Sequence, residues 1–185
     1  MVYELKDCRT GARETKRKTT VEISVKDGIA DFVFTAENCK FYCPYGEYNA
    51  IHSDGDACEV LIGTDPNRKV YYEIELSPLG GLMTAKMTNN GDTPDKSDVL
   101  LDIDFVQEPF VETKVERRGN GYVAEMRFSL KNIYTGEGKI YFNAYRLDTD
   151  GGKCLKEKQL LFALNPTMRN KFHVPSKFLM LEDYL

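Results

Sequence analysis

None of the 185 residues is tryptophan. That excludes any site built on an indole face, the widest stacking surface a side chain offers. Histidine is scarce as well: His52 and His173 stand alone, so there is no histidine pair at metal-ligand spacing. No apolar run is long enough for a secretory signal or a membrane span. Helical periodicity of useful length is missing, as are a serine nucleophile motif and a glycine-rich phosphate loop. As written, the sequence reads as soluble and not exported, with no membrane partner.

A basic face is missing too. The formal net charge is −4, spread over residues of both signs, which argues against a nucleic-acid partner because phosphates demand a positive surface. The single basic run, Arg9 to Lys18, includes Glu14 and no aromatic residue, and reads as a solvated N-terminal segment over residues 1–19. The remaining residues, 20–185, suit one domain with a sizeable core. Five cysteines (Cys8, Cys39, Cys43, Cys58 and Cys154) leave one over after pairing. An odd, scattered set fits small buried thiols in a reducing compartment better than a disulfide framework. Cys39 and Cys43 have no second Cys or His pair downstream, so no structural zinc is expected.

What is present is strand pattern. Val21, Ile23 and Val25 alternate with polar residues from Thr20 to Val25, Asp27-Gly28 reads as a turn, and Ala30 to Thr35 follows as the return strand of a hairpin. Further strands are expected at 57–63, 70–76, 82–88, 99–105, 111–117, 122–130 and 139–148. In Tyr122 to Leu130 the residues Tyr122, Ala124, Met126, Phe128 and Leu130 share one face while Glu125, Arg127 and Ser129 face away, the mark of a sheet buried on one side. The preceding Gly119-Asn120-Gly121 supplies a turn. Many short strands separated by such turns predict an all-β, antiparallel β-sandwich. The polar stretch from Thr88 to Asp98 reads as a long loop between strands.

The order of certain segments says more. Phe142-Asn143-Ala144-Tyr145-Arg146 is followed by Asn165-Pro166 and then Phe172-His173-Val174-Pro175. Upstream, Asp56 runs into a strand bearing Glu59, a turn, and the Tyr-rich strand Val70 to Leu76, closing in Ser77-Pro78-Leu79-Gly80. Together these blocks resemble the family 9 carbohydrate-binding modules, within the broader group of DOMON-like sandwiches, over residues 20 to 183. The resemblance implies a jelly-roll-like sandwich acting as a non-catalytic binding or accessory domain with carbohydrate as its partner. In that family the sugar lies between two tryptophans. One commonly stands where this chain has Leu164, and the other falls where it has His52 and Ser53.

With both platforms replaced, the residues expected to hold a ligand are Glu59 and Arg146, which match the family's glutamate and strand arginine, with Tyr42, Tyr45 and Tyr48 as aromatic substitutes. A carboxylate and a guanidinium converging on a concave surface accept from and donate to vicinal hydroxyls; an internal ion pair between strands is the competing reading of the same two residues. Oxygen donors at Asp54, Asp56, Asp65 and Asn67 suit calcium, which members of the family carry, so Asp54 and Asp56 are the metal candidates and calcium the one cofactor implied. Plain turn residues are the alternative. Glu73 and Glu75 share a strand face and Glu125 lies on another strand, a composition that would serve a glycosidase, although same-face glutamates are ordinarily the wet side of a sheet. Haem, bound by other members of the broad group, has no assignable axial pair here. A second function class stays open: a degenerate sandwich used only for protein contact or self-association.

Overall fold

A computed structural model of the chain describes residues 1–37, 39–44, 46–50, 55–91, 101–134, 138–152 and 159–185. Half of the chain is strand, arranged as two packed antiparallel sheets. The smaller sheet has the order β1 (Val2–Glu4), β3 (Thr19–Lys26), β4 (Ile29–Ala36), β10 (Gly121–Ser129), β9 (Val111–Arg118). The larger runs β2 (Lys6–Asp7), β12 (Leu160–Ala163), β11 (Tyr141–Asp148), β5 (Ala57–Gly63), β6 (Val70–Leu76), β7 (Leu82–Asn89), β8 (Leu101–Phe105), with β13 (Leu179–Met180) also pairing β11.

Local chemistry accounts for the hairpins. Asp27 and Gly28 both take positive φ, +52° and +76°, the geometry whose twist matches that of the flanking strands. It sets β3 against β4 in the register Val21↔Phe34 and Ile23↔Phe32. Gly119, at φ +61°, supplies the positive φ of the turn from β9 into β10. The strand expected at 57–63 and the one expected at 70–76 coincide with β5 and β6, while the first two residues of the strand expected at 99–105 lie outside the described residues, as does most of the loop expected at 88–98.

The residues expected to form a solvated segment, 1–19, contribute to both sheets. Val2, Tyr3 and Glu4 pair with β3, and Lys6 and Asp7 extend the larger sheet beside β12. Leu5, between the two short strands, is 1 % exposed. The chain thus steps from one sheet to the other within its first seven residues. Strands of two or three residues carry too little alternation to be seen in a sequence.

The inter-sheet core is built from Val21, Ile23, Phe32, Phe34, Met126 and Phe128 on one side and Val60, Ile62, Ile74, Leu76 and Phe142 on the other. Burying a side chain of this size contributes about 1.5–3 kcal/mol. A second apolar cluster covers the opposite, outward face of the larger sheet: Leu61, Tyr71, Met83, Met87, Tyr145, Leu147 and Leu161, capped by Phe172 and Phe178 from the C-terminal segment. The centre of the larger sheet is therefore buried on both sides, and every residue of β5 is buried.

Gly121 begins β10 where that strand meets β4, and a Cβ there would run into the carbonyl oxygen of Ala36. Backbone cannot swing aside as a side chain does. Gly121→Ala is expected to cost roughly 1–3 kcal/mol in a urea titration, whereas Gly46→Ala, whose added methyl meets open space, leaves the midpoint where it was. Equal midpoints for the two variants would contradict this packing.

Candidate functional site

Two polar constellations are buried in this sandwich, on opposite faces of the larger sheet. The parity of two paired strands separates them. Cα pairing sets Cys58 opposite Arg146 and Glu59 opposite Tyr145, so Arg146 points into the space between the sheets and Glu59 points out of it.

The inner constellation centres on Arg146, which is fully buried. Its guanidinium lies 3.1 Å from Asp148 and 3.5 Å from Asp56, and it donates to the Tyr122 hydroxyl at 3.3 Å and to Thr19 Oγ1 at 3.2 Å. Asp56 in turn accepts from the Tyr42 amide at 2.9 Å and from the Thr149 hydroxyl. Asp148 also meets Arg17 at 3.7 Å, and Arg17 closes the outer end of the chain of charges on Asp150. Burial pushes Asp56 up to about 6, against the hydrogen bonds from Thr149 and Tyr42 and the Arg146 charge, with the Asp148 charge pushing the same way as burial.

Arg146 therefore does not converge with Glu59, and it is fully buried. It holds an internal ion cluster. The metal expectation at Asp56 meets the same geometry: its oxygens face a guanidinium and accept from a hydroxyl and an amide, an arrangement that repels a cation. Asp54, the other metal candidate, lies outside the described residues, as does Tyr45. The Tyr42 backbone brackets Asp56, donating to its carboxylate and accepting from its amide at 2.7 Å. Tyr48 is tied through its hydroxyl to Thr84 and to the carbonyl of Val106. Neither tyrosine lines the outer cavity. Leu164, at the position where the family resemblance puts a tryptophan, packs against the inter-sheet core.

The outer constellation is the one open to a ligand. Glu59 on β5 pairs across strands with Glu75 on β6, and Glu73 sits two residues earlier on the same face of β6. All three are buried, and one oxygen of each lies within 4.8 Å of the others. They line a cavity of about 210 Å³ together with Gln159, Asn170, Lys171 and His173. Burial first, then the neighbouring charges of Glu75 and Glu73, hold the Glu59 carboxyl well above the ordinary carboxylate range. Burial works against a charge on His173, but the Glu73 carboxylate 3.3 Å from its Nε2 outweighs that, with Glu75 assisting, and the imidazole pKa is raised. The other ring nitrogen, Nδ1, is 2.9 Å from the Tyr71 hydroxyl.

The far wall of this cavity is the C-terminal segment, and residues singled out in the sequence hold it in place. Asn143 donates to the carbonyl of Asn165 at 2.9 Å and accepts from its amide at 3.0 Å. The Tyr145 hydroxyl donates to the carbonyl of Phe172 at 3.0 Å, and the Phe172 ring stacks on Tyr145 at 4.4 Å. The Thr167 hydroxyl donates to the carbonyl of Lys171 at 2.8 Å. Arg9, from the basic run, fastens the rim by donating to the Gln159 carbonyl and to Asn170. Of the described residues expected at the ligand site, only Glu59 lines the cavity. Glu73 and Glu75 carried a usable signal, a shared strand parity opposite apolar neighbours, whereas Gln159, Asn170 and Lys171 stand on irregular chain with no periodicity to mark them.

No family model and no curated protein sequence matches the chain. Solved structures do. A protein of Bacteroides uniformis to which carbohydrate binding is ascribed superposes with a TM-score of 0.74 at 12 % identity, over 97 % of this chain and 84 % of the other. A family 9 carbohydrate-binding module from Caldicellulosiruptor kristjanssonii, solved with glucose, gives 0.60 at 14 % identity over 96 % and 82 % of the two chains. The same organism's module solved with cellotriose gives 0.61 at 14 % identity over 95 % and 80 %. The fold is that of the family 9 carbohydrate-binding modules. At these identities the likeness extends to the β-sandwich fold alone, and the family 9-like sandwich expected from the sequence is the one observed.

Two outcomes test the inner constellation. Arg146→Met strands two buried carboxylates and is expected to cost about 3–5 kcal/mol in chemical denaturation; a loss below 1 kcal/mol would mean that the charges are hydrated. For Asp56 the folded state holds the proton more tightly than the unfolded chain, whose aspartate titrates near 3.8. Its contribution to stability is therefore absent above about pH 6, grows as the pH falls, and is complete below about pH 4, on the order of 3 kcal/mol. The stability of the wild type relative to Asp56→Asn should increase between pH 7.5 and 4.5, and a decrease over that range would reverse the assignment.

Proposed function

We propose that the protein is a non-catalytic carbohydrate-binding module whose site is the acidic cavity on the outward face of the larger sheet. The observation that carries this reading is the mixed polar lining of that cavity. Glu59, Glu73 and Glu75 supply acceptors, while Lys171, Asn170 and Gln159 supply donors, which is what a ring of hydroxyls requires. A volume of about 210 Å³ is below that of sites for drug-sized ligands and suits one sugar ring. The neighbours of the same fold that were solved with glucose and with cellotriose support the ligand class.

The carboxylates do not suit hydrolysis. A glycosidase sets two carboxyl groups on either side of the scissile bond, roughly 5 Å or more apart. Here three carboxyl groups lie together on one sheet face, with an oxygen of each within 4.8 Å of the others, so they meet a ligand from beneath rather than from opposite sides of one bond. Phe172, 7 % exposed, and the His173 ring are the flat surfaces at the cavity, a modest substitute for an indole.

Titration calorimetry with glucose, cellotriose and a wider saccharide panel tests this. Lys171→Met and Asn170→Ala are each expected to weaken saccharide binding by about tenfold or more, the loss of one good hydrogen bond to a charged or amide donor, while melting cooperatively. A wild type that binds no saccharide, or variants that bind as the wild type does, would overturn the placement.

A further inference from the structure

Glu59, Glu73 and Glu75 are 4, 5 and 6 % exposed, and like charges this close repel strongly in a desolvated setting. Glu73 has His173 as its counterpart. Glu59 has no hydrogen-bond donor among the described residues, although its carboxyl group faces the cavity. An acceptor on a residue only 4 % exposed, given no donor by the described residues and flanked by two further carboxylates, is poorly compensated until something positive reaches it.

We propose that Glu59, Glu73 and Glu75 bind a divalent cation of the calcium class, and that the open side of this ion is where the cavity takes ligand hydroxyls. Oxygens no more than 4.8 Å apart can share an ion at the ~2.3–2.6 Å of calcium coordination with little movement, and calcium tolerates an irregular carboxylate set, whereas magnesium demands a near-ideal octahedron. A donor set of carboxylate oxygens selects hard cations over zinc or copper. Three protein ligands leave several positions of a calcium ion for water. The cavity beyond the three carboxyl groups is lined also by Gln159 and Asn170. Two neighbouring hydroxyls replacing two of those waters would be fixed in direction by the ion, the orientation that a tryptophan slot supplies by stacking. Lys171 is the competing cation: it lines the same cavity, and its buried ammonium has no hydrogen-bond partner among the described residues.

The ion site stands on the carboxylate geometry alone; its role in gripping hydroxyls rests on the carbohydrate reading. The first experiment is calorimetric titration of the chelator-treated protein with calcium chloride in the absence of sugar. Saturable binding of one ion is expected, lost in Glu59→Gln and in Glu75→Gln and kept or tightened in Lys171→Met. Each glutamine variant removes like-charge repulsion and is expected to melt no lower than the wild type, which shows that it is folded. No calcium binding, or binding that survives both glutamine substitutions, overturns the ion site. The second experiment repeats the saccharide titration with calcium and with chelator. Saccharide binding that requires calcium supports the full proposal. Equal binding in both leaves the carbohydrate reading intact and removes the ion's role in it, while calcium binding with no saccharide response keeps the ion and sinks the carbohydrate reading.

Discussion

The structure depends on how one guanidinium is accommodated between two β-sheets. Arg146 is fully buried, with Asp148 and Asp56 as counter-charges and Tyr122 and Thr19 as further acceptors. Those partners come from β11, from the start of β5, and from β10 and β3 of the opposing sheet. A buried charge tolerates little displacement, because each lost contact leaves an unpaired group in a medium of low polarizability. The cluster therefore fixes how the two sheets lie over each other at that end, where apolar packing alone would tolerate sliding. It also joins the N-terminal segment to β11 and the turn after it through Arg17, which reaches Asp148 and Asp150.

The larger sheet is covered on both sides, and this is unusual enough for an antiparallel sheet to need a cause. The cause is the C-terminal segment, which folds back across the outward face and is held by Asn143, Tyr145 and Asn89 as well as by the two-residue pairing of β13 with β11. Side chains that would be the wet face of an ordinary sandwich become a second core. Within it Glu59, Glu73 and Glu75 occupy positions where solvated carboxylates would be unremarked, and burial raises the cost of leaving them uncompensated. The cavity is a gap in that cover, bounded by sheet on one side and by residues 170–173 on the other.

Much of this was legible in the residues. The alternation of Tyr122–Leu130 and of β3 and β4 announces sheets with one buried side, and Asp27-Gly28 announces its own hairpin, because one-sided burial and positive φ leave local marks. Strand parity also separates Asn143 and Tyr145 from Arg146 within a single strand. What parity inside one strand cannot supply is the register between strands. Whether Glu59 shares a face with Arg146 depends on whether residue 58 or 59 lies opposite residue 146, and a shift of one residue reverses the answer. The expected convergence of Glu59 and Arg146 failed on that single residue of register. Glu73 and Glu75 look from the sequence like solvent-facing glutamates, since nothing near them records that a segment a hundred residues later will cover them.

The sequence by itself determined the class of fold, the turns, most strand limits and the blocks that pack together at the C-terminal end, because these follow from side-chain polarity repeated over a few residues and from backbone preferences at glycine and asparagine. The tertiary structure alone decided that Arg146 is an internal brace, that residues 1–19 bridge both sheets, and that three glutamates meet at one cavity. Each of those outcomes depends on pairings between distant strands, and charge and burial act through distance in space rather than distance along the chain.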